Sequence, residues 1–471
     1  MPKAASTRIT PRLTPLLLSL APLLHAWLPR QRWFAGKGTP VTGFSPVSAT
    51  ELLPVDGGGL LHLLVRAHQN GTPGPGDCYQ LLLGVHHTLP TRLAPAFIGR
   101  PQDGPLAGRA VYDALQDPRL AGLLLERLRT PGQLGTLRFD RALSTAIPAG
   151  LPPRRLDAEQ SNSSLVYGDT FILKVFRRIH PGVNPDLELP LALARQHCSR
   201  VPAPVAWFEA TDLDGTGEPA TLGVLQPYLR GSEDGWQLAL RALSAGSGFL
   251  AEARALGRAT AEVHTALAAA LPAVTLGRPQ TRLLAAGMKD RLEAAARAVP
   301  ALSPYVPGLR AAFEAVAGTP DDGHSLEAQR IHGDLHLGQT LRTPDGDWSV
   351  IDFEGEPARP LAERREPQPA VRDIAGMLRS FDYAAGTLPQ ALDSARAGET
   401  PSPWNAEWAA GCREAYCEGY AEASGTDPRS EPALLRAYET DKAVYEVLYE
   451  ARHRPDWLPV PMAAVRRLAL P

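Results

Sequence analysis

Ile331-His-Gly-Asp-Leu-His-Leu-Gly-Gln339, with Trp348-Ser-Val-Ile-Asp-Phe-Glu-Gly355 close behind it, sets an acid, an amide and a second acid in one short span. Phosphoryl transfer asks little covalent work of a protein. The phosphate, a divalent cation and an acceptor hydroxyl must be held in line while negative charge is neutralised. Asp334 is the residue type that accepts a hydrogen bond, and finally the proton, of such a hydroxyl. Gln339 and Asp352, five and eighteen residues further on, are hard oxygen donors of the kind Mg²⁺ prefers. Asp334 is expected on a tight loop after the apolar Ile331, and Trp348-Ser-Val-Ile351 predicts a strand delivering Asp352, with Asp345-Gly346 as the turn before it.

The surrounding chain bounds what such a site can serve. With 471 residues, 44% hydrophobic and 21% charged, it is long enough for a large core and two or three structural units. Its 48 basic and 50 acidic residues favour neither nucleic acid nor an anionic membrane, so small molecules are the expected partners. Cys78, Cys198, Cys412 and Cys417 are too few and scattered for a disulfide framework, and the last two lack the spacing of a zinc pair. They read as free thiols in a reducing cytosol. Leu13 to Leu28 imitates a signal peptide, but Pro15 and Pro22 interrupt it and no small-residue cleavage site follows. An amphipathic helix packed on the first domain is expected there.

Upstream of the acids, Val41 to Leu93 holds short β-like runs parted by Gly/Pro/Asn turns, which predicts a small antiparallel sheet. Ala110 to Arg129 reads as helical, broken at Pro118. Ser164 to Tyr167, the turn Gly168-Asp169 and Thr170 to Phe176 read as a hairpin. Lys174 then shares a face with Ile172 and Phe176, and a lone lysine among such neighbours suits phosphate binding. Its carboxylate partner is Glu188, or else Asp186, on a helix capped by Asn184, although Pro190 lies deep in that helix. No glycine-rich loop precedes Lys174. Glu159-Gln-Ser-Asn-Ser-Ser164 stands in its place, with Ser161, Ser163 and Ser164 offering hydroxyls to a phosphate. Thr221 to Leu229 is a buried strand whose end, with Gln226 and Tyr228, is the expected nucleotide edge before a hinge at Arg230 to Trp236. Leu250 to Leu271 and Leu283 to Val299 are predicted helices.

For an acceptor, the helix Asp441 to Arg452 presents Lys442, Tyr445 and Tyr449 at i, i+3 and i+7, donors and flat rings suited to a sugar, with Arg452 continuing that side. His336 lies beside Asp334 as a further substrate contact. A metal site built on His332 and His336 is not expected, because the nearby oxygen donors suit Mg²⁺ better. His264 reads as a packed helix residue. The mixture of Lys442 and Arg452 with tyrosines argues for a neutral acceptor in place of an aminoglycoside.

The chain resembles the bacterial maltokinases, members of the aminoglycoside-phosphotransferase-like kinases, from about Trp27 to Leu470. The likeness is carried by Leu28-Pro-Arg-Gln-Arg-Trp-Phe-Ala-Gly-Lys37, Glu159 to Ser164, His332 to Gln339, Ile351 to Arg365, Arg372 to Tyr383 and Tyr445 to Trp457. The resemblance implies an α+β, bilobal protein-kinase-like fold: a cap subdomain over residues 1–100, a β-rich nucleotide lobe over 101–232 and a helical lobe over 233–471. It implies transfer of the ATP γ-phosphate, with Mg²⁺, to maltose, giving maltose 1-phosphate for α-glucan synthesis, with a functional link to trehalose synthase and maltosyltransferase. A related kinase for another sugar, aminosugar or aminoglycoside is the alternative. In similar kinases an acid at Asp373 braces the catalytic loop. Residues around Gly71 to Gly76 form an insertion relative to the family. A cytoplasmic monomer or homodimer is expected.

Overall fold

The structure is a computed structural model and describes residues 13–55, 58–71, 74–156, 161–211, 213, 217–317, 326–357, 359–392 and 403–470. It divides into two units, Met1–Glu188 with Ala203–Arg230, and Leu189–Pro202 with Gly231–Pro471.

In the first unit the leucine-rich segment forms helix α1 (Leu13–Trp27), with Pro22 inside it. Leu16, Leu17, Leu20 and Leu24 form its buried face in one apolar cluster with the first sheet, and each leucine so withdrawn from water contributes about 1.5–3 kcal/mol. That sheet contains β1 (Val41–Leu53), β2 (Gly59–Gln69), β3 (Asp77–His86), β4 (Phe97–Gly99) and β5 (Ala110–Asp113), antiparallel in the order β1-β2-β3-β5-β4. The expected helix from Ala110 is corrected here. Ala110 to Asp113 are buried throughout and pair with β3 and β4, and the helix α2 (Pro118–Arg129) begins only after Asp117, whose carboxylate caps the Arg119 N–H. Four residues are too few for a period of 2.0 to be told from one of 3.6.

A second, antiparallel sheet follows: β6 (Gly132–Leu134), β7 (Leu137–Arg141), β8 (Pro153–Leu156), β9 (Asn162–Tyr167) and β10 (Phe171–Phe176). After β11 (Arg178–Ile179), which joins β3, and helix α3 (Pro185–Arg195), it is completed by β12 (Ala206–Ala210) and β13 (Ala220–Pro227), in the order β6-β7-β12-β13-β10-β9-β8. Helix α3 runs through Pro190.

The second unit is mostly helical. It runs β14 (Glu233–Asp234), α4 (Gly235–Ser244), α5 (Leu250–Ala270), β15 (Val274–Leu276), α6 (Arg278–Ala298), α7 (Val306–Ala317), β16 (Leu326–Ala328), β17 (Thr340–Arg342) and β18 (Trp348–Val350). Helices α8 (Leu361–Arg364), α9 (Val371–Leu392), α10 (Pro403–Ser424), α11 (Pro432–His453) and α12 (Pro459–Leu468) complete it. One core joins Leu256 and Leu267 of α5, Phe381 of α9, Tyr416 of α10 and Val447 of α11, so four helices fix the frame around the loop 331–339. Gly376 lets α9 press on that loop: a Cβ there would stand 2.5 Å from the Leu335 carbonyl oxygen. All four cysteines are free, and among the described residues no helix is long and apolar enough to cross a membrane.

Candidate active site

In the first unit, Gly168 and Asp169 both have positive φ, 55° and 52°, in the tight turn between β9 and β10, after which Phe171 pairs back on Tyr167. Lys174 sits on β10 between Ser164 of β9 and Val224 of β13. Its ammonium lies 2.9 Å from the Asp186 carboxylate, and both side chains are largely buried. Of the two acids considered, Asp186 makes this contact. Asn184 accepts the Asp186 N–H at 2.9 Å, which starts the helix so that its first turn faces Lys174.

The serine-rich stretch is also corrected. Asn162, Ser163 and Ser164 belong to strand β9 and are buried, and the Ser163 hydroxyl accepts a 2.8 Å hydrogen bond from Arg177 Nε. Ser163 and Ser164 therefore lie within the sheet and not on a loop. Ser161 is exposed, and residues 157–160 before it lie outside the described residues, as do 72–73 of the Gly71 to Gly76 insertion. Gln226 pairs with Ile172 near the end of β13, and the Tyr228 N–H bonds the Thr170 carbonyl at 2.8 Å, so both stand at one edge of this sheet.

In the second unit, the loop bearing Asp334 is held from behind. Asp373 accepts the N–H groups of His332 and Gly333, each at 2.8 Å, one on each carboxylate oxygen. His264 lies 3.1 Å from the same carboxylate and 3.0 Å from the Tyr420 hydroxyl. Gly333, at φ 86°, supplies the left-handed turn that aims both N–H groups at one acid. His332 bonds the Ile351 carbonyl at 2.9 Å, tying the loop to the segment bearing Asp352. His264 was legible only as a packed residue, since nothing local in α5 signals that its ring meets an acid 109 positions away.

Asp334 Oδ1 accepts from Lys442 Nζ of α11 at 2.7 Å. Burial acts to raise this carboxyl, but Lys442, His336 and His332 outweigh it and hold Asp334 well below the usual carboxylate range. Burial likewise works against the Lys442 ammonium, and Asp334 and Glu356 overcome it, so Lys442 is held above its ordinary value. His336 is pushed down, chiefly by burial, and its Nδ1 accepts the Gly338 N–H at 3.1 Å, so a neutral imidazole faces the site. Gln339 Nε2 donates to Asp352 Oδ2 at 3.0 Å. Asp352 has φ 66°, a left-handed backbone that an acid tolerates better than most side chains. An amide oxygen and a carboxylate so oriented fit a hard divalent cation, while the rings of His332 and His336 are engaged with backbone groups.

A cavity of about 720 Å³ opens on Asp334. Its walls include His336, Lys442, Tyr445 and Tyr449, together with residues the sequence did not single out: Asp234, Trp236, Tyr383, Glu446, Glu450 and Trp457. Tyr383 and Trp457 stack at 6.4 Å, and Tyr445 and Tyr449 lie 6.2 Å apart. Arg452 is corrected: it is exposed and lines no part of this wall. Arg454, just past the end of α11, borders the cavity instead and pairs with Glu450 at 2.6 Å. Ten residues from Lys442 is about 80° off the face that 442, 446 and 449 share. Lys442 is bound to Asp334, Glu446 to Arg379 and Glu450 to Arg454, which leaves Asp234 as the carboxylate of this wall without an ion pair among the described residues. Burial raises Asp234 and Glu446, the latter against the opposing pull of Arg379.

Residues 27–117 match the maltokinase N-terminal cap domain, and residues 150–426 match the phosphotransferase enzyme family. A glucosamine kinase of Streptacidiphilus jiangxiensis is 31% identical over 65% of this chain and 71% of its own. One of Mycolicibacterium smegmatis is 30% identical over 69% of this chain and 82% of its own. A solved glucosamine kinase, in complex with glucosamine, ADP and inorganic phosphate, superposes with a TM-score of 0.66 over 96% of this chain and 99% of that one at 22% identity, and so shares the fold. This chain therefore belongs to the phosphotransferase enzyme family, with its α+β kinase-like fold, and carries a maltokinase-type cap domain ahead of the kinase core.

Proposed function

We propose that the chain is an ATP-dependent sugar kinase. One observation supports this reading above others: Asp334, paired with Lys442, stands at the wall of a 720 Å³ cavity faced with aromatic rings and acids. Aromatic faces and polar edges are what a sugar ring needs. Asp334 orients the acceptor hydroxyl; as its oxygen bonds to the γ-phosphorus and the bond to the ADP oxygen breaks, the hydroxyl proton passes to the Asp334 carboxylate. The depressed pKa makes that transfer late, in keeping with a loose transition state. Gln339 and Asp352 are the residues that would hold Mg²⁺, which when bound would neutralise charge on the phosphate oxygens. Lys174, oriented by Asp186, takes the phosphates of the nucleotide, and Gln226 and Tyr228 its base. Asp373 positions the loop.

For the acceptor, Asp234 in the cavity wall favours an aminosugar whose ammonium it would meet, and the glucosamine kinases among the relatives support it. The second reading is maltose, favoured by the cap-domain match and by a cavity with room for a disaccharide; the link to trehalose synthase and maltosyltransferase belongs to that reading alone. Four free thiols suit the cytosol. The test is a phosphate-transfer screen with ATP and Mg²⁺ over glucosamine, maltose, glucose, trehalose and an aminoglycoside. Asp334→Asn should cut turnover about 10²–10⁴-fold with ATP binding intact; an unchanged rate would sink the assignment.

A further inference from the structure

A lysine ammonium carries three N–H donors on one point charge. Among the described residues Lys442 Nζ uses one of them, on Asp334 Oδ1 at 2.7 Å, and otherwise stands over the Tyr445 ring, 4.9 Å from its centre. Lys442 and Asp334 are both largely buried, and both stand in the wall of the 720 Å³ cavity. Burying two charges together costs both their hydration, and a neutral pair of similar size often holds two elements as well. An ion pair at this place therefore points to a use for the charge itself.

Asp334 fixes where the reaction happens. The acceptor hydroxyl bonds to its carboxylate, and in an attack-ready complex the phosphorus lies about 3–3.5 Å from that hydroxyl oxygen. An ammonium already bonded to the same carboxylate is a close neighbour of the phosphoryl oxygens. Charge then follows the proton. Before transfer the carboxylate and the ammonium balance each other. As the acceptor oxygen bonds to phosphorus and the bond to the ADP oxygen breaks, the hydroxyl proton passes to Asp334, and a protonated carboxyl no longer balances Lys442. Glu356 still favours the charged lysine. The new phosphate ester beside it carries roughly two negative charges at neutral pH.

We propose, on the basis of the sugar-kinase reading, that Lys442 is a catalytic residue whose hydrogen bond passes from Asp334 to the transferred phosphoryl group as Asp334 takes up the acceptor proton. The ammonium keeps all its protons, and only the partner of one N–H changes. Because the new contact strengthens as the phosphoryl group arrives and is absent from the complex with acceptor alone, it raises kcat without tightening the acceptor. The role does not depend on which sugar is phosphorylated.

The test takes the sugar that the phosphate-transfer screen identifies and compares its binding with that of its phosphorylated product, by calorimetry on the full chain with Mg²⁺ and ADP. Asp334→Asn imitates the protonated base. It should favour product over acceptor about 10-fold more than the wild type does, as one charge-assisted hydrogen bond allows. Adding Lys442→Met should remove that gain, and this double variant leaves neither charge unpaired. Lys442→Met alone gives a second reading that serves if Asp334→Asn does not fold. On the pH plateau above the acid limb, where Asp334 is ionised, its kcat should stay about 10-fold or more below wild type, whereas a lysine that only tunes Asp334 would let the rate recover there. Turnover of no sugar would fell the sugar-kinase reading and this one with it. With a sugar turned over, a gain that is missing from Asp334→Asn or survives Lys442→Met, or a Lys442→Met plateau equal to the wild type, would overturn this proposal alone.

Discussion

Lys442 and Asp334, 108 positions apart, form a 2.7 Å ion pair that ties helix α11 to the loop of the candidate base. The pair has a pH signature. A carboxyl held below its unfolded value near 4 contributes stability that is complete above that value and is lost as pH falls through the folded pKa. Wild-type activity should therefore persist to unusually low pH on the acid side. Lys442→Met removes the largest lowering influence and leaves burial to raise the carboxyl, so the acid limb of the kcat/KM profile should move to higher pH. An unmoved limb would assign that ionisation to another group.

Asp352→Asn should raise the magnesium concentration needed for half-maximal rate by at least about 10-fold. Asparagine adopts the left-handed backbone as readily as aspartate and keeps an oxygen for the Gln339 amide, so thermal stability should change little. A Mg²⁺ titration of initial rates, beside a melting curve, separates lost metal affinity from lost structure.

Asp234→Asn isolates acceptor charge. Asp234 caps α4 by accepting the Gln237 N–H at 2.9 Å, a bond asparagine makes equally well, so only the charge is removed. For an aminosugar the KM should rise about 10-fold or less, since one partly solvated charge pair is worth roughly 1 kcal/mol. For maltose it should not move. Equal effects on both substrates would take Asp234 out of acceptor selection.

Gly376→Ala brings a methyl to 2.5 Å from the Leu335 carbonyl. Helix and loop must part, at about 1–3 kcal/mol of stability. Because the Leu335 carbonyl follows Asp334 directly, kcat should fall more than the KM for ATP. Steady-state kinetics together with a denaturant melt would show both.

The loop 331–339 and Asp352 were readable because their parts lie within one contiguous span whose spacing is set by a turn. The hairpin bearing Lys174 was readable for the same reason. Asp373's contact with two backbone amides and the Lys442–Asp334 pair bridge 40 to 108 positions, a separation that no local pattern encodes. Glu446 and Glu450 carried a signal, standing four and eight residues beyond Lys442, but acids on a helix most often face water and so drew no notice. Arg452 was misplaced because the α-helical repeat was carried past its useful phase, and Arg454, outside the helix, has no phase at all. The strand that the sequence starts at Ser164 begins two residues earlier, at Asn162, because small polar residues are poor markers of a buried strand.

Helix α11 acts as a ruler for whatever enters the larger cavity. Lys442, Glu446 and Glu450 fall four residues apart, about 6 Å of helix rise each, close to the width of a pyranose ring. A single ring spans the first two marks and a second ring reaches the third. Acceptor length can thus be retuned at Glu450 and beyond without disturbing the mark that sets Asp334.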